Sequence, residues 1–313
     1  MNRTSALLDR VRETLAAPVT EPVRAFAARL AREIGEGPAG AQAALFYGSN
    51  LRTGSLDGVL DFYLLMDGSP ERGIWPRVSY HEWTTPEGGP QGTKLRAKVA
   101  TMTLATFAQA SAGDLVDTTI WARFVQPSAL VWGKDAAAGE AVAAALASAA
   151  ITAARFAVAL GPPAGSAEAY WRALFRATYR AEFRVERAGR ENSILEVNAE
   201  HFAGLLPAAL DAAGIAWTRQ GEVLHPVLPA AEATRLRRAW ARRRRLGKPY
   251  NLVRLIRAST TFEGAARYAA WKVERHTGVP VALTPWRERH PLLAAPGVLW
   301  RVWRARRAAE RAS

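Results

Sequence analysis

A glycine-serine pair followed by an aspartate in an apolar run is the part of the sequence best suited to chemistry. Gly48 and Ser49 end one predicted strand, and Asp61 lies on the next. Glycine lets the backbone approach a phosphate closely, and a serine hydroxyl can donate to a phosphate oxygen. A carboxylate in apolar surroundings is costly unless it is paired or binds an ion. The segment therefore predicts a Mg²⁺ ion held between Asp61 and nucleotide phosphates, as in nucleotidyl transfer.

The sequence around Asp61 leaves the second metal ligand open. Polymerase-β-like nucleotidyltransferases usually carry two aspartates two residues apart on one strand face, and the residues at that spacing from Asp61 are uncharged. Asp57 lies about 13 Å away along an extended strand, too far to share an ion unless the chain bends. Glu82 and Glu182 are the candidates. The structural alternative is an ordinary turn followed by a capping or ion-paired aspartate.

Basic residues alternate along another predicted strand. Lys94, Arg96 and Lys98 would share one face of it, where they can meet a triphosphate or a lipid phosphate. Arginine at positions 123 and 257 is suited to hold a phosphate through two parallel hydrogen bonds. The alternative for the strand is a solvated charged face.

The apolar patterns upstream predict an α+β domain over residues 1–135. Helical spacing favours two short helices within 3–34. Strands are predicted at 43–47, 59–66, 77–83 and 93–101, with a helix at 104–110. These elements place the glycine-serine turn and the aspartate on adjoining strands.

Residues 136–272 are predicted to form a smaller, mostly helical second domain. Its predicted helices are 136–160, 167–179 and 202–213, with short strands at 182–186 and 194–197. From Arg235 to Arg257, ten of 23 residues are basic and none is acidic, so positive charge is concentrated downstream.

The bulk composition implies an acidic partner. The formal net charge is +14, which suits nucleotide phosphates, nucleic acid or an anionic lipid surface. Cysteine is absent, which excludes disulfides, thiol nucleophiles and cysteine-based zinc sites. The N-terminus lacks the apolar core of a secretory signal, and no run reaches the roughly eighteen apolar residues that a spanning helix needs. These patterns predict a soluble or peripheral protein.

Several blocks occur in an order that resembles the mitochondrial-type phosphatidate cytidylyltransferases, the translocator assembly and maintenance family. Over about residues 43–272 the blocks are YGS, LDF, KLRAK, ARFVQP, TYRAEFRVERAGRENSILEVN and RASTTFEGAARYAAWK. The resemblance implies a polymerase-β-like nucleotidyltransferase domain, a winged-helix-like second domain that completes the active site, and a C-terminal amphipathic helix. It also implies transfer of CMP from CTP to phosphatidic acid with Mg²⁺.

The resemblance implies roles for particular residues. Catalytic roles fall on Asp61, Arg96 and Glu182, of which Asp61 and Glu182 would bind the metal. Nucleotide binding falls on Gly48, Ser49, Lys98 and Arg123. Contact with the substrate phosphate falls on Arg184, Arg257 and Ser259. Three positions depart from the family pattern, namely Asn50, Gln126 and Ala258, and they put nucleotide and lipid preference in question.

The basic tail predicts attachment to a membrane. In the segment 273–313, a helix from about Gly297 would place Val298, Leu299, Val302 and Trp303 opposite several arginines. A peripheral enzyme on the cytoplasmic face of a membrane is therefore expected. The alternatives are a helix packed on its own domain, the same chemistry on a different acceptor, and a non-enzymatic nucleic-acid-binding protein. Nucleic acid is the less favoured partner, because no recognised nucleic-acid-binding motif accompanies the charge.

Overall fold

The computed structural model shows a mixed α+β protein built around a five-stranded sheet. The structure describes residues 3–36, 40–73, 75–85, 92–181, 190–261, 264–277, 279, 281–286, 297, 300 and 304. The strands of the sheet are β1 (Ala41–Tyr47), β2 (Leu60–Met66), β3 (Arg77–Thr84), β4 (Lys94–Thr103) and β5 (Ser128–Gly133). The predicted α+β class and the four predicted upstream strands are confirmed, with small shifts at the strand ends.

The helices account for most of the remaining chain. They are α1 (Arg3–Leu15), α2 (Glu21–Ile34), α3 (Ser49–Thr53), α4 (Leu104–Ser111), α5 (Thr119–Phe124), α6 (Ala136–Leu160), α7 (Ala167–Ala181), α8 (Arg190–Val197), α9 (Ala199–Phe202), α10 (Leu205–Ala212), α11 (Ala230–Thr261) and α12 (Ala265–Thr277). The helices predicted within 3–34 and at 104–110, 136–160 and 167–179 are confirmed. The helix predicted at 202–213 corresponds to α10, which begins at Leu205.

The sheet has the order β3-β4-β2-β1-β5, in which only β2 and β4 run parallel. Side chains alternate between its two faces. One face, which includes Phe46 and Phe62, packs on α2 through Phe26. The opposite face carries Leu45, Tyr63 and Met102 and packs on the other helices. Asp61 follows the parity of Tyr63 and therefore belongs to the second face.

Helix α6 is the central element of the helical layer. The Asp135 carboxylate accepts a hydrogen bond from the Ala138 backbone N–H at 2.8 Å, which caps its start. The helix is long and apolar enough to cross a membrane, so the prediction that no segment of the chain reaches that length and composition is wrong. Within its most apolar stretch 67% is buried inside the protein, as expected of a core helix.

Two local features downstream differ from the prediction. The strand predicted at 194–197 is wrong, because these residues end helix α8, where Ile194 and Leu195 are buried against other helices. The periodicity of a short apolar run does not distinguish a strand from a helix. The structure also contains an unpredicted hairpin of β6 (Ala216–Gln220) and β7 (Val223–Val227). The strand predicted at 182–186 lies outside the described residues.

The division of the chain at residue 135 stays a prediction. One continuous core contains residues from both sides of that position, including Leu45 and Trp121 upstream and Val142 and Trp171 downstream. The helical region is therefore packed directly on the sheet-bearing region.

Helix α11 packs through a narrow buried stripe. Leu236, Trp240 and Arg243 recur at helical spacing and are each 7% exposed. Arg243 donates to the backbone oxygens of Gly113 and Leu115, which fixes the segment before α5. Gly247 continues the stripe one turn later, where α11 crosses the C-terminal end of α7.

Replacing Gly247 with alanine is expected to lower the free energy of unfolding by about 2 kcal/mol, since a Cβ there would overlap the Ala181 carbonyl group. Denaturant unfolding followed by tryptophan fluorescence measures this change. Gly139→Ala is the control, because its Cβ would meet only Leu130 at 3.5 Å and alanine favours the helix. Equal stability of the two variants would contradict the close packing of α11 on α7.

Candidate active site

A row of polar side chains crosses the sheet at one register position. Tyr47 on β1 is paired with Asp61 on β2, which is paired with Lys98 on β4. Ser128 on β5 and Tyr80 on β3 extend the row to both edges. Paired residues project from the same face of a sheet, so all five face the helical layer. The parallel pairing of β2 with β4 thus brings Asp61 and Lys98 together.

The turn after β1 lies directly beside the aspartate. Gly48 has φ 92° and ψ −161°, a backbone conformation that is accessible almost only to glycine. A Cβ at this position would lie 3.4 Å from the Asp61 Oδ2 atom. Ser49 then begins the short helix α3 and is exposed. The predicted glycine-serine turn and aspartate are therefore adjacent in space.

Asn50 closes the loop that follows. Its side-chain amide donates to the backbone oxygens of Ser55 at 2.9 Å and Asp57 at 2.8 Å. Asn50 itself is helical, so its departure from the family pattern requires no left-handed backbone at this position. Asp57 is an exposed loop residue rather than a continuation of β2.

Replacing Gly48 with alanine is expected to lower the rate of the proposed reaction by about a hundredfold, because a residue with a Cβ is strained at φ 92° and ψ −161° and the turn in contact with the Asp61 carboxylate would have to shift. Gly54→Ala is the matched control, since Gly54 also has positive φ but no atoms lie within 4 Å of a Cβ there. Steady-state turnover and thermal unfolding measured on both variants separate a local effect on the site from backbone strain. An equal loss of activity in both would contradict the assigned contact.

Asp61 and Lys98 each oppose the effect of burial on the pKa of the other. Burial raises the pKa of Asp61, while the positive charges of Lys98 and Arg123 lower it. Burial likewise lowers the pKa of Lys98, and the Asp61 charge opposes that change. Arg123, Lys272 and Arg254 repel the Lys98 charge and lower its pKa further. The four cations outnumber Asp61 and the Asp117 carboxylate with which Arg254 is paired, and this excess of positive charge favours the binding of an anion.

Arg123 on α5 is fixed by two tyrosines of the sheet. Its Nη1 atom donates to the hydroxyl oxygens of Tyr47 and Tyr63, each at 3.3 Å. Its guanidinium carbon lies 5.1 Å from the Tyr47 ring centroid and 5.8 Å from that of Tyr63. These contacts fix the position of the Arg123 guanidinium over the two tyrosine rings, where its positive charge lowers the pKa of Asp61.

Glu82 is engaged elsewhere and does not join Asp61. Its carboxylate lies 2.9 Å from the Lys94 Nζ atom and 3.7 Å from the Arg96 Nε atom, and it accepts a hydrogen bond from Tyr80. Although burial opposes ionisation, the hydrogen bonds from Lys94 and Tyr80 hold the pKa of Glu82 below its usual value. Strand β4 lies between β3 and β2, so Glu82 and Asp61 are two strand spacings apart, which is about 10 Å in total.

Helix α12 covers this end of the sheet and was not predicted as part of the site. The Tyr268 ring packs 5.5 Å from the Tyr80 ring, and the Arg96 guanidinium lies 5.4 Å from the Trp271 ring. The positive charge of Lys272, on the same helix, lowers the pKa of Lys98. The spacing of aromatic and basic residues along 268–275 was a usable signal, since i, i+3, i+4 and i+7 share one helix face.

Arg254 on α11 was also missed. Its Nη1 atom lies 3.3 Å from the Asp117 Oδ1 atom and donates to the Thr119 hydroxyl at 3.0 Å. The Asp117 side chain is only 3% exposed, so its charge requires this partner. The pair attaches α11 to the start of α5, the helix that carries Arg123.

The remaining predicted site residues cannot be placed at the site. Arg257 and Ser259 lie within α11, but their side chains are outside the described part of the structure. Glu182 and Arg184 fall in the segment 182–189, also outside the described residues. Within the described ranges, no group of three or more His, Cys, Asp and Glu residues is placed to hold a metal ion.

The residues present fit Mg²⁺ as a partly substrate-held ion. The half-buried Asp61 carboxylate would supply one hard oxygen ligand, and the exposed Ser49 follows Gly48 in the adjoining turn. Magnesium commonly binds through one or two carboxylates together with substrate phosphates and water. The surrounding cations suit those phosphates, and Arg96 Nε is a buried donor without a hydrogen-bond partner among the described residues.

Comparisons with known proteins do not assign the chain to a family. The chain matches no protein-family model, and no curated protein matches its sequence. The family resemblance therefore rests on the ordered sequence blocks described above.

Proposed function

We propose that the protein is a magnesium-dependent nucleotidyltransferase that transfers CMP from CTP to phosphatidic acid at a membrane surface, giving CDP-diacylglycerol and pyrophosphate. The observation that carries the proposal is the Asp61 carboxylate beside the Gly48 turn, with Lys98 and Arg123 around it. The nucleotide and the lipid come from the resemblance of the sequence blocks. The geometry supports the more general chemistry of phosphate binding and transfer.

The reaction needs no covalent nucleophile on the protein. A phosphate oxygen of phosphatidic acid forms a bond to the α-phosphorus of CTP, while the bond from that phosphorus to the oxygen bridging to the β-phosphorus breaks. Pyrophosphate departs with the bonding electrons. The protein contributes orientation and positive charge, which dominate catalysis of phosphoryl-type transfers.

Each residue of the site has a role that follows from its position. Asp61, with Glu182 as the resemblance implies, would hold Mg²⁺, which when bound neutralises charge on the reacting phosphates. Gly48 allows the phosphates to approach the backbone, and Ser49 donates to one of their oxygens. Lys98 and Arg123 offset the negative charge of the triphosphate from the helical side of the sheet.

The acceptor phosphate would enter from the side of α11 and α12. Arg254 and Lys272 lie on these two helices and contribute positive charge at Lys98. The resemblance adds Arg184, Arg257 and Ser259 to this group. The mostly helical region 136–272 would thus complete the site in the manner of the winged-helix-like domain that the resemblance implies. The tail 273–313 would hold the enzyme peripherally on the cytoplasmic face of the membrane.

The decisive assay measures pyrophosphate release by the purified protein with CTP, Mg²⁺ and vesicles containing phosphatidic acid. Release is expected only when all three are present, and CDP-diacylglycerol should accumulate in equal amount. The other three ribonucleotides and several anionic lipids serve as controls for specificity. Turnover with another acceptor would replace the substrate assignment, and absence of turnover with every nucleotide and lipid would refute the proposal.

A further inference from the structure

The outward side of α11 carries a pattern that the site does not use. Opposite the buried stripe of Leu236, Trp240 and Arg243, the helix exposes Arg238, Arg242 and Arg245 at i, i+4 and i+7. The same line continues to Leu252 two turns later. The exposed side of α11 is therefore basic in its middle and apolar nearer its C-terminal end.

The apolar end of this surface is formed by three large side chains. Leu246 is 43% exposed, Leu252 is 52% exposed and Val253 is 46% exposed. Leu246 and Val253 are seven residues apart and share one face of the helix with Pro249, while Leu252 lies beside them. Single exposed apolar residues are ordinary, but a group bordered by arginines indicates a binding surface.

This surface adjoins the candidate active site. Arg254 directly follows Leu252 and Val253, and it turns inward to the buried Asp117 carboxylate and the Thr119 hydroxyl. The same arginine contributes to the field at Lys98. A molecule bound on the exposed side of α11 near Val253 would therefore lie within one helical turn of a residue that belongs to the site.

We infer that the outer face of α11, formed by Arg238, Arg242, Arg245, Leu246, Leu252 and Val253, binds the surface of an anionic lipid bilayer. The arginines would contact lipid phosphates, since basic side chains close to a membrane are attracted to an anionic lipid surface. The aliphatic side chains would enter the boundary between headgroups and acyl chains. This inference extends the proposed function by naming the surface that brings the lipid to the site.

The chemistry of the face favours a bilayer over a nucleic acid. Arginines alone would suit either phosphate-bearing partner. Exposed leucine and valine side chains find an apolar environment in a bilayer, whereas binding to a nucleic-acid backbone would leave them in water. The face also offers no exposed aromatic ring for stacking on bases, which single-stranded nucleic acids favour.

The first test measures binding of the full chain to phosphatidylglycerol–phosphatidylcholine vesicles by co-sedimentation without nucleotide. Phosphatidylglycerol is anionic but is not the proposed substrate, so the result is independent of turnover. Leu252→Glu combined with Val253→Glu is expected to weaken binding about tenfold or more, through lost apolar burial and added repulsion. Wild-type binding should be much weaker on pure phosphatidylcholine.

The matched control is Val197→Glu combined with Val227→Glu. These valines are 51% and 62% exposed on α8 and β7, and the substitutions add the same two negative charges. The control is expected to bind nearly as well as the wild type. Unchanged binding by the α11 variant, or an equal loss in both variants, overturns the inference.

A second measurement does not depend on substitutions that weaken vesicle binding. Because the chain has no cysteine, Leu252→Cys and Val227→Cys each provide one site for an environment-sensitive dye. Addition of the anionic vesicles should shift the emission of the dye at 252 to shorter wavelength and leave the dye at 227 unchanged. No shift at 252, or a shift produced by duplex DNA or single-stranded RNA but not by vesicles, overturns the assignment to a bilayer.

Discussion

Replacing Asp61 with asparagine is expected to lower the rate of pyrophosphate release from CTP by about a thousandfold or more, equivalent to about 4 kcal/mol of transition-state stabilisation. Asparagine preserves the size of the side chain but removes the charge that would bind Mg²⁺. Release measured at saturating Mg²⁺ and CTP tests this directly. The carboxylate is the feature on which the proposed chemistry depends most.

The Asp61→Asn substitution is also expected to change the stability of the protein, which must be measured together with the activity. Removing the Asp61 charge takes away the group that supports the positive charge of half-buried Lys98. Thermal unfolding is expected to show a folded protein of somewhat lower stability. Asp57→Asn is the control, because Asp57 is exposed in the preceding loop and should retain full activity. Wild-type turnover by the Asp61 variant would exclude Asp61 as a metal ligand.

Replacing Lys98 with methionine is expected to reduce kcat/KM for CTP by about 10² to 10³. Methionine keeps the length of the side chain and loses the charge that faces the phosphates. The loss should appear mainly in kcat if Lys98 stabilises charge that develops during transfer, and in KM if it only attracts the nucleotide. Steady-state kinetics at several CTP concentrations separate the two.

Lys94→Met is the control, because it makes the same lysine-to-methionine change on the same face of β4. Lys94 is 51% exposed and pairs with Glu82, so it faces solvent rather than Asp61. Its loss should change kcat/KM by less than about threefold, as for an ordinary surface ion pair. Equal effects of the two substitutions would show that β4 acts only through its general positive charge.

The sequence predicted the sheet well because its signals are local. Alternation in β4 is enough to place Lys98 on the same face as Lys94 and Arg96, and the glycine-serine pair marks the end of β1. The capping aspartate at 135 and the glycine at 161 likewise mark the ends of α6. Strand β5, the order of the strands and the parallel pairing of β2 with β4 were beyond such reasoning, because they are decided by the whole sheet.

The parts that were missed depend on contacts between distant segments. Helix α12 follows β4 by more than a hundred residues, and although its spacing places Tyr268 and Trp271 on one helix face, that spacing does not reveal that they pack on β3 and β4. Arg254 is one of many arginines in the basic stretch, and only the fold distinguishes it through buried Asp117. The short apolar run in α8 had the composition of a strand, and burial against neighbouring helices decided its state.

The row of paired side chains across the sheet has a consequence for how the chain selects its native strand alignment. A slip of β2 by one residue would turn Asp61 toward Phe26 and Phe46 and turn Phe62 toward the site. An isolated carboxylate among aromatic rings costs several kcal/mol, so the misaligned sheet would be strongly disfavoured. The aspartate on which the proposed chemistry depends would thus also act during folding, by making the alternative alignment unstable.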